Sequence, residues 1–258
     1  MASREPKEPA RSGRTIRKAK RALSRLVTPR GNLLALAKSR GTDKVDHGYI
    51  EHYARYFGAI RRRVRTVLEI GIGGYANERA GGESLRMWRD WFPKSVIHGI
   101  DVEDKAWLAG PRIRVHRGSQ GDVDFLERVA KEIGPLDVVI DDGSHRSEHV
   151  LTSFRTLFPH LRAGGTYVIE DLCTSYWPQF GGDPKSLDDD RFTVGALKRL
   201  LDGLQHPYIP GRAPGPFDEI IVGLHLHPMI AFIEKGVNRP IVSDFLRGEV
   251  EKARPPGR

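Results

Sequence analysis

The sequence predicts an α/β domain in which a doubly wound, mostly parallel sheet ends in an antiparallel hairpin. Three observations carry this. Short, strongly apolar runs at residues 64–70, 136–140 and 166–169 read as central strands buried on both faces. Helical patterns separate them, the alternation that builds parallel sheets with one-handed crossovers. The last apolar runs, 220–226 and 229–233, are joined by a tight turn and read as the hairpin.

The elements follow in order. A helix over residues 46–60 places Tyr49, Ile50, Tyr53, Ala54, Phe57 and Ile60 on one face. Arg61-Arg62-Arg63 ends it, where cations favour the C-terminal dipole. Strand 64–70 runs into the glycine-rich turn Gly71-Ile72-Gly73-Gly74-Tyr75. A second strand, 95–100, stops at Asp101, and a shorter third covers 112–116. Strand 136–140 leads into Asp141-Asp142-Gly143-Ser144-His145. The next helix is marked by Val150, Leu151, Phe154, Leu157, Phe158 and Leu161, with Arg162-Ala163-Gly164-Gly165 as its glycine C-cap. Strand 166–169 then ends at Glu170-Asp171, and 174–190 and 202–218 read as long loops. Asp188-Asp189-Asp190 reads as a charge run at a helix N-terminus, and no internal repeat is present.

The 258 residues suffice for one substantial core. The net charge of +9 is unevenly placed: residues 1–30 hold ten Lys/Arg against two acids, leaving about +1 for the rest. The expected division is a basic N-terminal arm over 1–40 and a catalytic domain over 41–258. Ile16, Ala19, Ala22, Leu23, Leu26 and Val27 recur at helical spacing, so part of the arm reads as a basic amphipathic helix. Nothing in the body supports nucleic-acid recognition, so the arm reads first as a peripheral tail or a helix packed on a neighbouring subunit of a homo-oligomer. No apolar stretch reaches membrane-span length and no secretory signal is evident, so the expected compartment is the cytoplasm. The single cysteine, Cys173, excludes an internal disulfide and any cysteine-based zinc site and reads as a packing residue.

Chemistry concentrates at the two acidic strand ends. In open α/β sheets ligands bind beyond the carboxyl ends of the strands. Neighbouring strands would bring Asp142, Glu170 and Asp171 together, with His145 close by. Like charges that close raise one another's pKa, and a divalent cation is the natural compensation. All-oxygen ligation suits Mg²⁺, Mn²⁺ or Ca²⁺ rather than zinc. His145 is the candidate general base, since an unperturbed imidazole changes charge at about 6.5, close to working pH. His225 and His227 share a strand face with no third ligand, and receive no role.

The glycine turn satisfies a loose dinucleotide pattern through Gly71-x-Gly73-x-x-Ala76, so a nicotinamide enzyme is the first rival. Two details oppose it. Glu69 is placed to accept from an ammonium or ribose group, and the carboxylate set has no role in hydride transfer. Asp101 suits ribose hydroxyls under either reading.

Glu69-x-Gly71-x-Gly73, Asp101 and Gly118-Ser119-Gln120-Gly121-Asp122 together resemble the class I S-adenosylmethionine-dependent methyltransferases, whose sheet is Rossmann-like. Gly41-Thr42-Asp43-Lys44, Asp141-Asp142-Gly143-Ser144-His145 and Glu170-Asp171-Leu172-x-Thr174-Ser175-Tyr176-Trp177 narrow this. They resemble the magnesium-dependent sugar O-methyltransferases of macrolide biosynthesis, the mycinamicin and tylosin type, over about residues 41–236. The resemblance implies that S-adenosylmethionine is held by Glu69, Gly71, Gly73, Ser84, Asp101, Gln120, Asp122 and Asp141. It further implies Mg²⁺ on Asp142, Glu170 and Asp171, with His145 as base. Tyr176, Trp177 and Phe180 read as a wall for the apolar side of a sugar ring.

The expected reaction is methyl transfer to a sugar hydroxyl of a glycosylated natural product, glycolipid or sugar nucleotide. The alternatives are an NAD-dependent oxidoreductase on the same turn, or a non-catalytic nucleic-acid-binding or scaffold protein using the basic arm.

Overall fold

The computed structural model describes residues 31–74, 77, 79–239 and 243–253. The arm over 1–30 and Ala76 of the dinucleotide pattern therefore lie outside the described residues. Two helices, α1 (Leu33–Arg40) and α2 (Tyr49–Phe57), precede β1 (Thr66–Ile70), α3 (Glu83–Trp91), β2 (Val96–Asp101) and β3 (Ile113–Arg117). Next come α4 (Val123–Ile133), β4 (Leu136–Asp141), α5 (Ser147–Leu157), β5 (Leu161–Ile169) and α6 (Thr193–Leu204). The chain closes with β6 (Ile221–His227), β7 (Ile230–Lys235) and α7 (Asp244–Lys252).

The seven strands lie in the order β3-β2-β1-β4-β5-β7-β6. The first five are parallel, and β7 inserts antiparallel between β5 and β6. Strand order reverses between β1 and β4, so the crevice beyond their carboxyl ends is where a ligand belongs. Successive strand residues point to opposite faces. Val67, Val138 and Ile140 accordingly pack with Leu33, Tyr53 and Trp88 on one side. Leu68 and Val139 pack with Leu126, Phe154 and Leu157 on the other. Each such fully buried side chain contributes roughly 1.5–3 kcal/mol of transfer free energy.

Register sets the site. Ile70 pairs with Asp141, and Asp141 with Ile169. Hydrogen bonding continues past the strand ends, from Asp142 N–H to Ile70 (2.9 Å) and from Glu170 N–H to Asp141 (3.0 Å). Gly71, Asp142 and Glu170 therefore emerge level and side by side.

Several boundaries differ from the sequence reading. The expected glycine cap at 162–165 is instead the first half of β5: α5 stops at Leu157, and Leu161 already pairs with Leu136. A register irregularity follows there, with Gly164 at φ 81°, so the glycine pair serves a bulge rather than a helix end. The first expected helix starts later, at Tyr49, because Gly48 sits at φ 74° ahead of it. Leu33, Leu36 and Ala37 are core residues, so the folded body takes in α1 ahead of the expected start at residue 41. The closing hairpin is present, turning through Pro228 and Met229. Among the described residues no helix is long and apolar enough to cross a membrane.

Candidate active site

A cavity of about 420 Å³ opens at the carboxyl ends of β1, β2, β4 and β5. Gly71 and Gly73 form one wall, Asp101 and Gln120 another, and Asp142, His145 and Asp171 the far end. Gly71 has φ 88°, and a Cβ there would lie 2.0 Å from the Asp142 carbonyl oxygen, so only glycine fits. Asp101 is fixed by two backbone amides, Ile72 N–H to Oδ2 (3.0 Å) and Glu103 N–H to Oδ1 (2.9 Å). Gln120 donates to Asp141 (3.0 Å) and accepts from Ser144 N–H (2.6 Å), tying the wall to the β4 end.

Four residues expected at the cofactor lie off the cavity wall. Glu69 is fully buried and accepts from Ser84 Oγ (2.8 Å) and Trp88 Nε1 (3.1 Å), with Lys44 Nζ at 3.4 Å. Glu69 and Ser84 thus bond each other outside the cavity lining. Burial raises the Glu69 carboxyl against the pull of Lys44. Asp141 is buried as well, accepting from Gln120, Ser153 and Tyr167, and burial pushes its pKa up to about 6 against those bonds. Asp122 caps α4 by accepting from Phe125 N–H (3.0 Å).

At the acidic end, one ligand-capable atom from each of Asp142, His145 and Asp171 lies within 4.8 Å of the others. His145 Nε2 is 3.5 Å from Asp171 Oδ2. Glu170, expected as the third ligand, stands apart from this group. Its Oε1 accepts from Lys44 Nζ (2.7 Å) and from the Tyr53 hydroxyl, and the residue is 3 % exposed. Glu170 faces inward while Asp171, at φ 54°, faces the cavity. Burial and the neighbouring Asp142 hold the Glu170 carboxyl well above its usual range, against Lys44 and Tyr53.

Lys44 is the residue that sequence reasoning missed. Its ammonium is fully buried and donates to Asp142 Oδ2 (2.6 Å) as well as to Glu170. Burial pulls its pKa down, yet Asp142, Glu170 and Glu69 outweigh that and raise it well above its ordinary value. The same segment supplies Tyr49, whose hydroxyl donates to Asp171 Oδ1. Its Asp43 and His47 also line the cavity, as does His149, bonded to Ser144 Oγ (2.9 Å). The only sequence signal was the motif Gly41-Thr42-Asp43-Lys44 itself.

The three aromatic residues separate. Phe180 meets the His145 ring edge-on, centroids 5.9 Å apart, and Trp177 packs on Phe180 at 6.1 Å. Trp177 is 44 % exposed, and Tyr176 is not on the cavity wall. His227 stacks on His52 (3.9 Å), away from the acids.

This donor set fits a hard divalent cation. Asp142 Oδ1, Glu170 Oε2 and Asp171 Oδ2 are not taken by any protein hydrogen bond among the described residues. The glycine wall and fixed Asp101 fit a nucleoside.

No family model matches the chain. It is 49 % identical over 195 residues to the mycinamicin VI 2''-O-methyltransferase of Micromonospora griseorubida, covering 74 % of this chain and 49 % of that one. It is 51 % identical over 195 residues to the demethylmacrocin O-methyltransferase of Streptomyces fradiae, with the same coverage of 74 % and 49 %. The chain thus spans about half the length of the curated relatives it matches. Among solved structures, MycE methyltransferase from the mycinamycin pathway, in complex with Mg and SAH, superposes with a TM-score of 0.79 and 36 % identity. That match covers 98 % of this chain and 73 % of MycE. The superposition over 73 % of MycE and this degree of identity place the chain in the family of S-adenosylmethionine-dependent sugar O-methyltransferases typified by the macrolide enzymes.

Proposed function

We propose that the protein transfers the methyl group of S-adenosylmethionine to a hydroxyl of a sugar carried by a glycosylated natural product, in antibiotic-type biosynthesis. The observation that carries this is the meeting of Asp142, His145 and Asp171 at the end of a glycine-walled cavity. Gly71, Gly73, Asp101 and Gln120 would hold the cofactor; Asp142 and Asp171, with Glu170 behind them, would hold Mg²⁺, for which Mn²⁺ is the nearest chemical substitute. Bound there, a cation would supply Lewis-acid stabilisation of negative charge developing on the substrate hydroxyl.

The chain's own residues do the rest. A sugar hydroxyl is a poor nucleophile because its pKa lies far above neutrality. His145 Nε2 takes the hydroxyl proton as the C–O bond forms and the C–S bond breaks, leaving S-adenosylhomocysteine. The Asp171 carboxylate, 3.5 Å from that nitrogen, lies beside the ring and helps to orient it. Phe180 fixes the imidazole from one edge and offers an apolar face to the sugar ring. The nicotinamide reading has no support from relatives that are named methyltransferases.

The test is calorimetric titration with S-adenosylhomocysteine and with NAD, followed by methyl transfer to deoxysugar glycosides with Mg²⁺ and with EDTA. Micromolar binding of S-adenosylhomocysteine alone and Mg²⁺-dependent transfer are expected. Transfer that is undiminished in EDTA removes the cation from the reading, and NAD binding removes the reading itself. We also infer a cytoplasmic homo-oligomer: β6 is an edge strand with Val222 43 % and Leu226 51 % exposed. A monomer mass by light scattering overturns the oligomer.

A further inference from the structure

Each carboxylate at the acidic end has one oxygen held from behind by a single short stretch of chain. Lys44 Nζ takes Asp142 Oδ2 and Glu170 Oε1, Tyr53 takes the same Glu170 oxygen, and Tyr49 takes Asp171 Oδ1. The stretch precedes β1 in the chain, and Lys44 and Tyr53 are fully buried while Tyr49 is 1 % exposed. Tyr53 is clamped by Trp88 and Phe232, with ring centroids at 4.8 and 5.5 Å. Such donors have no freedom to swing away.

We propose that Lys44, Tyr49 and Tyr53 are positioning residues that set the denticity of the cation site, and so its choice of metal. The proposal rests on the cation reading of the preceding section. A carboxylate with one oxygen already bonded presents only the other and so ligates through a single atom. Mg²⁺ and Mn²⁺ accept that: they are small and six-coordinate, Mg²⁺ at about 2.0–2.1 Å, and fill remaining positions with water or substrate. Ca²⁺ takes six to eight oxygens and commonly uses carboxylates through both. Wiring that blocks the second oxygen therefore disfavours Ca²⁺. It also leaves positions open, which a sugar with adjacent hydroxyls can fill.

The two tyrosines carry the test, because Tyr→Phe removes a donor without altering charge and keeps the ring in its packing. Mn²⁺ binding to the full chain is read from the loss of the aqueous Mn²⁺ resonance, and Ca²⁺ binding from competition against it. The wild type is expected to bind Mn²⁺ more tightly than Ca²⁺. Tyr49→Phe, which frees Asp171 Oδ1, is expected to weaken Mn²⁺ about 10–100-fold, the usual effect of losing an outer partner of a metal ligand. Tyr53→Phe leaves Glu170 Oε1 held by Lys44 and is expected to weaken Mn²⁺ less. Ca²⁺ is expected to weaken less, so the Mn²⁺/Ca²⁺ ratio narrows, while affinity for S-adenosylhomocysteine stays within about twofold. Equal weakening of both metals, or no change in either, overturns the proposal, since a merely structural role leaves the ratio unmoved. A wild type that binds no Mn²⁺ at all overturns the cation reading beneath it.

Discussion

Replacing Lys44 by Met asks how much a buried countercharge contributes to this fold. The ammonium is fully buried, with Asp142 at 2.6 Å, Glu170 at 2.7 Å and Glu69 at 3.4 Å. Its removal leaves three carboxylates facing one another around an apolar stem. Breaking a buried pair by deleting one partner costs about 3–5 kcal/mol. For a chain of this size about 1 kcal/mol moves Tm by 2–4 °C, so a fall of roughly 6–20 °C is expected in EDTA at neutral pH. The pH dependence has a definite sign. Glu170 already sits above the usual carboxylate range, and losing Lys44, one of the groups holding it down, raises it further. A raised carboxyl favours the folded state where it is protonated and costs stability as pH climbs through its folded value. The deficit of Lys44→Met should therefore shrink in acid and grow as pH rises above the ordinary carboxylate range. Thermal unfolding of both proteins, followed by calorimetry across pH, measures it. A variant within 2 °C of wild type at every pH, on an approximate scale set by the same relation, would show that the ammonium is not what compensates these acids.

The remaining predictions concern the base and the floor of the cavity. His145→Ala should lower turnover roughly 10²–10⁴-fold with S-adenosylhomocysteine affinity retained, and an unchanged rate takes His145 out of the mechanism. Asp141, raised from 3.8 to about 6 chiefly by burial, should make wild-type stability decline between those pH values relative to Asp141→Asn. The decline amounts to on the order of 3 kcal/mol, and parallel stability curves for the two proteins would refute it.

The strand ends were legible because each apolar run stops abruptly at an acid, and the parallel register then leaves little choice about where Asp142 and Asp171 meet. The start of β5 was not. Arg162 and Ala163 are exposed and carry no apolar signal, so a glycine pair that serves a bulge looked like a helix cap. The surroundings of Glu69 were not legible, because a carboxylate beside a glycine turn looks the same in sequence whether it faces the cavity or the core. Only Ser84 and Trp88, from α3, show which way it points. Lys44 was illegible for a deeper reason. A lysine after Thr-Asp reads as a solvated loop charge, and its partners lie 98 and 126 residues away along the chain. Burial of a charge is a property of the assembled sheet.

His145 and Asp171 share an unusual backbone, with φ of 57° and 54°. Left-handed geometry costs an ordinary side chain about 1–2 kcal/mol, less for aspartate, and such strain gathers where function over-determines the structure. The imidazole is thus displayed on a strained perch that glycine or asparagine would occupy in comfort. Under the proposed role of His145 as base, selection for heat resistance alone pulls against the chemistry at position 145, because the residues that relax the perch are the ones that cannot take a proton there. A library of this protein sorted by melting temperature without an activity gate would enrich for well-folded, silent enzymes.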